Sequence, residues 1–398
     1  MLLFLMKGKL THIDLVFPII ASLKNKNPKI KIKLIFPSKS SLITIKDNQA
    51  LYKSLCDIAE ISNFHYSKEI KIPYIPIIFS TIFSIIHRNY ILKNLLYQKV
   101  YIFRIIDVPR TNWLISINRF LFKGKKISLY LNSNEFNQFK ATIKRTYQIS
   151  GKIEQSVLQL NTKSDVLITS YNYNQLKSLY TDIDKQNYKI NVIGTNMFSW
   201  PTWKTLITKH SKSEIKSLPK KFIFFPLSIL VRKEKTYTRD FRKSILEIIS
   251  CIREKDTNIK ILFRPHPTTN INELEELLTN HNVKNFIISN INPIIILKYC
   301  SFVIRYGISL LDTRVMESGK YMIRYFYDEF SEDMKEELKY YKKFYKEKNF
   351  IDITDTKILK KAIHENLDKS KYKKPLYTYK NNEKVAIEKI LKIINDKN

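Results

Sequence analysis

Short β-rich runs alternate with segments of helical spacing, and this alternation occurs twice along the chain. In the first series, residues 2–6, 30–36, 100–106, 127–131, 165–169 and 190–192 read as strands, and 15–23 has the spacing of an amphipathic helix. Lysines alternate with Ile and Leu in 30–36, which predicts a strand with one wet face. In the second series, 222–226, 259–263, 286–288, 302–305 and 321–325 read as strands. Helices are predicted over 239–253, 271–278, 294–299 and 310–318. A β-α-β rhythm of this kind builds a parallel sheet covered by helices.

Between the series lie residues 209–221, where His210, Ser211, Ser213, Ser217 and Pro219 stand among lysines without apolar periodicity. They predict an interdomain linker. The expected organisation is an α/β chain of two Rossmann-like domains facing a cleft. Residues 1–208 form an N-terminal domain and 222–345 a second one. The Lys-rich tail 346–398 is expected to be helical and to cross back to the first domain. A length of 398 residues suits two domains. In such domains ligands sit at the C-terminal ends of the strands.

Composition removes other classes. A hydrophobic content of 44% is too high for a disordered polybasic protein. Three cysteines, Cys56, Cys251 and Cys300, are too few for a disulfide scaffold, and six glycines too few for a collagen-like chain. The apolar start, residues 1–6, is too short for a secretory signal and reads as a buried strand. The most apolar stretch, 72–86, is broken by Pro73 and Pro76 and is too short to span a membrane. It predicts a buried helix, with a membrane-surface segment as the alternative. Scattered free cysteines point to a reducing cytoplasm.

The formal net charge is +33, from 69 basic and 36 acidic residues. Residues 1–210 hold 31 basic and 11 acidic residues, a net +20, and 211–398 a net +13. A field of this size attracts polyanions or anionic surfaces. Nucleic acid is the less favoured partner, because no aromatic-basic recognition motif accompanies the charge.

The sharpest motif is Ile261-Leu-Phe-Arg-Pro-His-Pro267, followed by Thr268, Thr269 and Asn270. Two prolines restrict the backbone around His266. Thr269 and Asn270 offer an N-cap for the next helix. Arg264 and His266 would thus stand over a helix N-terminus, a setting suited to a phosphate. The second motif is Phe302-Val-Ile-Arg-Tyr-Gly-Ile-Ser309, in which Gly307 turns the chain and Ser309 opens a helix. The third is Glu317-Ser-Gly319-Lys320, whose carboxylate suits ribose hydroxyls. A fourth is Phe225-Pro-Leu-Ser228, where Ser228 ends the first strand of the second domain and Arg232, Lys233 and Lys235 read as a basic loop.

In this order the motifs resemble the C-terminal nucleotide-sugar domain of GT-B glycosyltransferases. More narrowly, they are similar to the HP-motif bacterial sialyltransferases and the capsule Kdo transferases. That resemblance implies that His266 contacts the phosphate of a CMP-sugar donor with Ser309 beside it, and that Glu317 binds ribose. It implies no cofactor beyond the nucleotide sugar and no metal. The acidic motif of the sialyltransferases would fall within 128–136, which holds Asn132, Ser133 and Asn134 with Glu135 alone acidic, and the paired serines are a single Ser309. A CDP-polyol phosphotransferase shares the strand–His-Pro arrangement and stays open.

Inverting transfer needs a base within reach of the acceptor hydroxyl. His12 and Asp14, at the start of the first helix, are the first choice. Asp107, which ends a strand ahead of Arg110, and Glu135 are the alternatives. Asp182-Ile-Asp184 imitates a metal motif but lies outside the donor half, and no P-loop or dinucleotide fingerprint is present. The expectation is an enzyme at the inner face of the cytoplasmic membrane. It would move a nonulosonate or Kdo onto an anionic glycan or glycolipid acceptor of capsule or lipopolysaccharide.

Overall fold

A computed structural model describes residues 1–6, 10–36, 39–63, 101–104, 125–131, 166–178, 189–194, 197, 200–227, 231–233, 238–266, 269–306, 311–325, 350–368 and 382–395. The chain divides into two compact units, and among the described residues the division falls between His210 and Ser211. Residues 382–395 return to the first unit.

The first unit holds a seven-stranded parallel sheet in the order β3-β2-β1-β4-β5-β6-β7. Its strands are β1 (Leu2–Leu5), β2 (Ile32–Phe36), β3 (Glu60–Asn63), β4 (Tyr101–Arg104), β5 (Lys126–Tyr130), β6 (Val166–Thr169) and β7 (Lys189–Val192). All five residues of β2 are buried, Lys33 included, so the expected wet face is absent. The reason is its place inside the sheet, where a parallel strand is covered on both faces. Lys33 reaches out to Glu60 of β3 at 3.0 Å. The sequence pattern did not mark β3, which carries Glu, Ser and Asn and forms only by pairing with β2.

The helix Leu10–Lys26 follows β1 and packs Val16, Phe17, Ile19, Ile20 and Leu23 into the core. Pro18 lies within it, and Ser22 Oγ bonds the Pro18 carbonyl at 2.8 Å. The residues read as a linker are largely helical, in Pro201–His210 and Lys212–Ser217, with the unit boundary between the two. Trp203 and Ile207 supply the apolar face of the first of these helices.

The second unit holds a six-stranded parallel sheet in the order β12-β11-β8-β13-β14-β15. The strands are β8 (Phe222–Pro226), β11 (Lys260–Arg264), β12 (Phe286–Ile288), β13 (Val303–Tyr306), β14 (Met322–Tyr325) and β15 (Phe350–Ile353). A separate antiparallel pair, β9 (Val231–Lys233) and β10 (Thr238–Asp240), occupies the stretch read as a basic loop. The helix after it therefore starts at Arg242, not at 239.

Side chains alternate across a strand. Ile223, Phe225, Ile261, Phe263, Ile304 and Ile323 bury one face against helices Arg242–Lys255, Ile271–Asn280 and Thr356–Asp368. Phe222, Phe224, Leu262, Val303 and Met322 bury the other against Pro293–Tyr299 and Leu311–Ser318.

The tail departs from the all-helical expectation. Phe350–Ile353 pairs with β14 as the sixth strand, and Thr356–Asp368 packs in the same unit. The second domain thus runs past residue 345. Among the described residues of the tail, only the helix Glu383–Asn395 and Asn382 before it belong to the first unit, where the helix buries Ala386, Ile387, Ile390 and Ile393. Its entry is clasped by polar contacts. Trp200 Nε1 donates to Asn382 Oδ1 at 3.1 Å, Asn382 Nδ2 donates to the Ile193 carbonyl at 2.5 Å, and Ser22 Oγ donates to Glu383 at 2.6 Å. Gly194 makes room for the clasp. Its φ is +87°, and a Cβ there would lie 2.5 Å from Asn382 Nδ2. Among the described residues, no helix is long and apolar enough to cross a membrane. The stretch 72–86 lies outside them.

Candidate active site

Numbered within the second unit alone, its strands lie in the order 3-2-1-4-5-6. The order reverses between β8 and β13, and the crevice beyond the C-terminal strand ends at such a reversal is where α/β sheets bind ligands. The chain ends of β8 (Pro226), β11 (Arg264) and β13 (Tyr306) surround this point.

The backbone ties these ends together. Leu227 N donates to the Arg264 carbonyl at 2.9 Å, and Ser289 N donates to the Phe263 carbonyl at 2.9 Å. Arg264 Nε donates to the Ile291 carbonyl at 3.1 Å, holding the guanidinium at the strand end. Pro265 is buried and His266 half-buried. The His266 carbonyl accepts from Thr269 N at 2.8 Å, closing a turn. Of the two capping candidates, Asn270 is the N-cap: its Oδ1 accepts from Asn272 N at 3.1 Å. An imidazole and a guanidinium thus stand two residues apart at the end of a central strand. Both can offer N–H groups to an anion.

The other donor-site residues divide by position. Ser228, Gly307 and Ser309 lie outside the described residues. Glu317 lies in the last turn of helix Leu311–Ser318. That helix runs back from the strand C-termini, so Glu317 stands about 9 Å further along its axis. Gly319 takes φ +73° in the turn that follows. Lys320 is buried, and its Nζ donates to the Cys300 carbonyl at 2.6 Å, joining two strand entries. It serves packing.

In the first unit, His12 falls in the first turn of helix Leu10–Lys26 and Asp14 just beyond it. This helix starts beyond the C-terminal end of β1. Asp107 and Glu135 lie outside the described residues. Among the described residues, no group of three His, Cys, Asp or Glu side chains could hold a metal ion.

The sequence reading missed a buried charge network. Arg305 Nη1 meets Asp312 Oδ1 at 2.9 Å, and Arg324 Nη1 meets Asp312 Oδ2 at 3.0 Å. Arg324 also grips Asp352 with Nε and Nη2. Arg305, Arg324 and Asp352 share one register row. Arg264 and Pro226 are paired with each other, and the Phe224–Val303 register carries the same row across to them. A signal was present in the repeated tripeptide Ile304-Arg-Tyr306 and Ile323-Arg-Tyr325, with an arginine inside two apolar strands. On the other face, Tyr325 Oη donates to Glu247 Oε2 at 2.5 Å and lies 3.2 Å from Thr356 Oγ1.

No family model matches the sequence, and no curated protein matches it. Solved structures match it over nearly the whole chain. The UDP-GlcNAc 2-epimerase of Methanocaldococcus jannaschii has a TM-score of 0.53 at 14% identity, covering 99% of this chain and 100% of that one. The UDP-GlcNAc 2-epimerase of Neisseria meningitidis, bound to UDP-GlcNAc, has 0.53 at 12%, covering 98% and 100%. UGT71G1 of Medicago truncatula, complexed with UDP-glucose, has 0.51 at 11%, covering 99% and 98%. At such identities the likeness is one of fold, and the fold is two Rossmann-like α/β domains of the GT-B type.

Proposed function

We propose that the chain is an inverting, metal-independent glycosyltransferase that takes its sugar from a nucleotide donor at the C-terminal ends of β8, β11 and β13. The observation that carries this reading is the Arg264-Pro265-His266 strand end beside the reversal of a 3-2-1-4-5-6 sheet. Cleavage of the sugar–phosphate bond leaves negative charge on the departing phosphate. Arg264 and His266 offer preorganised donors to that charge, and one such donor is worth about 100- to 1000-fold in rate. Ser309 and Ser228 are the further phosphate contacts in this reading. A base from the first domain takes the acceptor proton, with His12 and Asp14 ahead of Asp107 and Glu135.

The donor in this reading is a CMP-linked acidic sugar, and the acceptor an anionic glycan or glycolipid at the inner face of the cytoplasmic membrane. The net +20 of residues 1–210 supports an anionic acceptor over nucleic acid. A second reading, a UDP-sugar transferase or 2-epimerase, is favoured by the likeness in fold to structures holding UDP-GlcNAc and UDP-glucose.

Thermal-shift titration with CMP, CDP, UDP and GDP separates the readings. A ligand at 100 times its Kd stabilises by about 2.7 kcal/mol. Stabilisation by CMP supports the first reading, and by UDP the second. CDP alone points to polyol-phosphate transfer. No nucleotide effect, together with tight salt-sensitive DNA binding, overturns all three. Transfer that stops on chelation of divalent metals removes the metal-independent mechanism.

A further inference from the structure

Arg305 holds two points of the chain at once. Its Nε donates to the carbonyl of Tyr306, the last residue of β13, at 3.3 Å, and its Nη1 meets Asp312 Oδ1 at 2.9 Å. Asp312 is the second residue of the helix that follows β13. One guanidinium therefore joins the end of the strand to the start of the helix.

Burial makes the arrangement costly. Arg305 is 1% exposed and Asp312 and Arg324 are fully buried. A buried ion pair rarely stabilises a fold more than apolar residues of the same volume. The hydrophobic core on this sheet face is built from Phe222, Phe224, Leu262, Val303 and Met322. Stability alone therefore gives little reason for charge in this row, whereas a planar fork gives geometry an apolar side chain cannot.

The charge balance bears on the ligand. A carboxylate in the first turn of a helix suits the helix dipole, but it would repel an anion approaching the same helix end. Asp312 is met by guanidinium groups on both oxygens. With Asp352 on the far side of Arg324, the four charges sum to zero. The helix start is thus anchored by a carboxylate without presenting net negative charge.

We propose that Arg305, acting through Asp312, is a positioning residue of the donor-phosphate site: it fixes the distance between the end of β13 and the start of the next helix. The inference rests on the donor site proposed above. It requires no contact between Arg305 and the nucleotide.

The test is calorimetric titration of the full-length protein with CMP and with UDP, alongside melting temperatures. In the variant Arg305→Met/Asp312→Leu the pair becomes apolar, while Arg324 keeps both bonds to Asp352. The expected result is a folded protein whose melting temperature is within a few degrees of wild type and whose nucleotide Kd is weaker by tenfold or more. A folded variant with a Kd within twofold of wild type overturns the proposal. If that variant does not fold, Arg305→Lys decides. Its ammonium can pair with Asp312 but cannot also span to the Tyr306 carbonyl, so weakened binding supports the staple and unchanged binding overturns it. A wild-type protein that binds none of CMP, CDP, UDP or GDP removes the donor-site reading itself, and the positioning role with it.

Discussion

Arg324 and Asp352 face each other across adjacent parallel strands and form a two-point fork, with Nε to Oδ1 at 2.6 Å and Nη2 to Oδ2 at 2.7 Å. Arg324 is fully buried. Removing one partner strands a charge without solvent, which costs about 3–5 kcal/mol. Asp352→Ala is therefore expected to lower stability by that order in chemical denaturation. Arg324→Met/Asp352→Leu should cost less than Asp352→Ala alone. Additive losses would show that the two residues act separately.

The clasp at Asn382 gives a second test. Asn382→Ala leaves the indole N–H of Trp200 and the Ile193 carbonyl without this partner, at about 1–3 kcal/mol. Gly194→Ala meets both the Asn382 amide and an unfavourable positive φ, at about 1–3 kcal/mol. In the Asn382→Ala background the steric part of the Gly194 penalty should vanish and the backbone part remain. A double-mutant cycle with no coupling would refute the close contact.

Alkaline pH should weaken the second unit through Tyr325. Burial first, and then its bond to Glu247, push this phenol up to about 12. A free tyrosine titrates near 10. The folded value is the higher one, so the stabilisation is complete below about pH 10 and is lost as pH rises toward 12. The melting temperature of wild type should fall across that window. Tyr325→Phe, which lacks the ionisable group, should start lower at neutral pH and show a shallower fall. Parallel curves would mean that another group governs the alkaline transition.

His266 is half-buried just past the end of β11, and the bond from Thr269 N to its carbonyl survives side-chain truncation. His266→Ala is expected to fold, because the turn closed by the residue-266 carbonyl is kept. Sugar transfer should fall by about 100- to 1000-fold if the imidazole neutralises the leaving phosphate. A loss under about tenfold would remove that role.

The second domain was the more legible half. Residues 222–226 and 286–288 read as strands with the bounds they have in the structure, because strands buried in a parallel sheet are short apolar runs between turn residues. Phe350–Ile353 was illegible for the opposite reason. Its four residues carry a charge and sit in a Lys-rich tail, and only pairing with β14 makes them a strand. Lys33 misled in the same way: a lysine in an alternating strand signals solvent until the sheet places it beside Glu60.

By itself the sequence determined the α/β alternation, its repetition in two series and the strand end that carries Arg264 and His266. Each is a local property, carried by hydrophobic period and proline placement. Only the tertiary structure decided that Arg305, Asp312, Arg324 and Asp352 form one network. Those relationships depend on strand order and register, which bring together residues up to 47 positions apart in the chain, and no local pattern encodes that pairing.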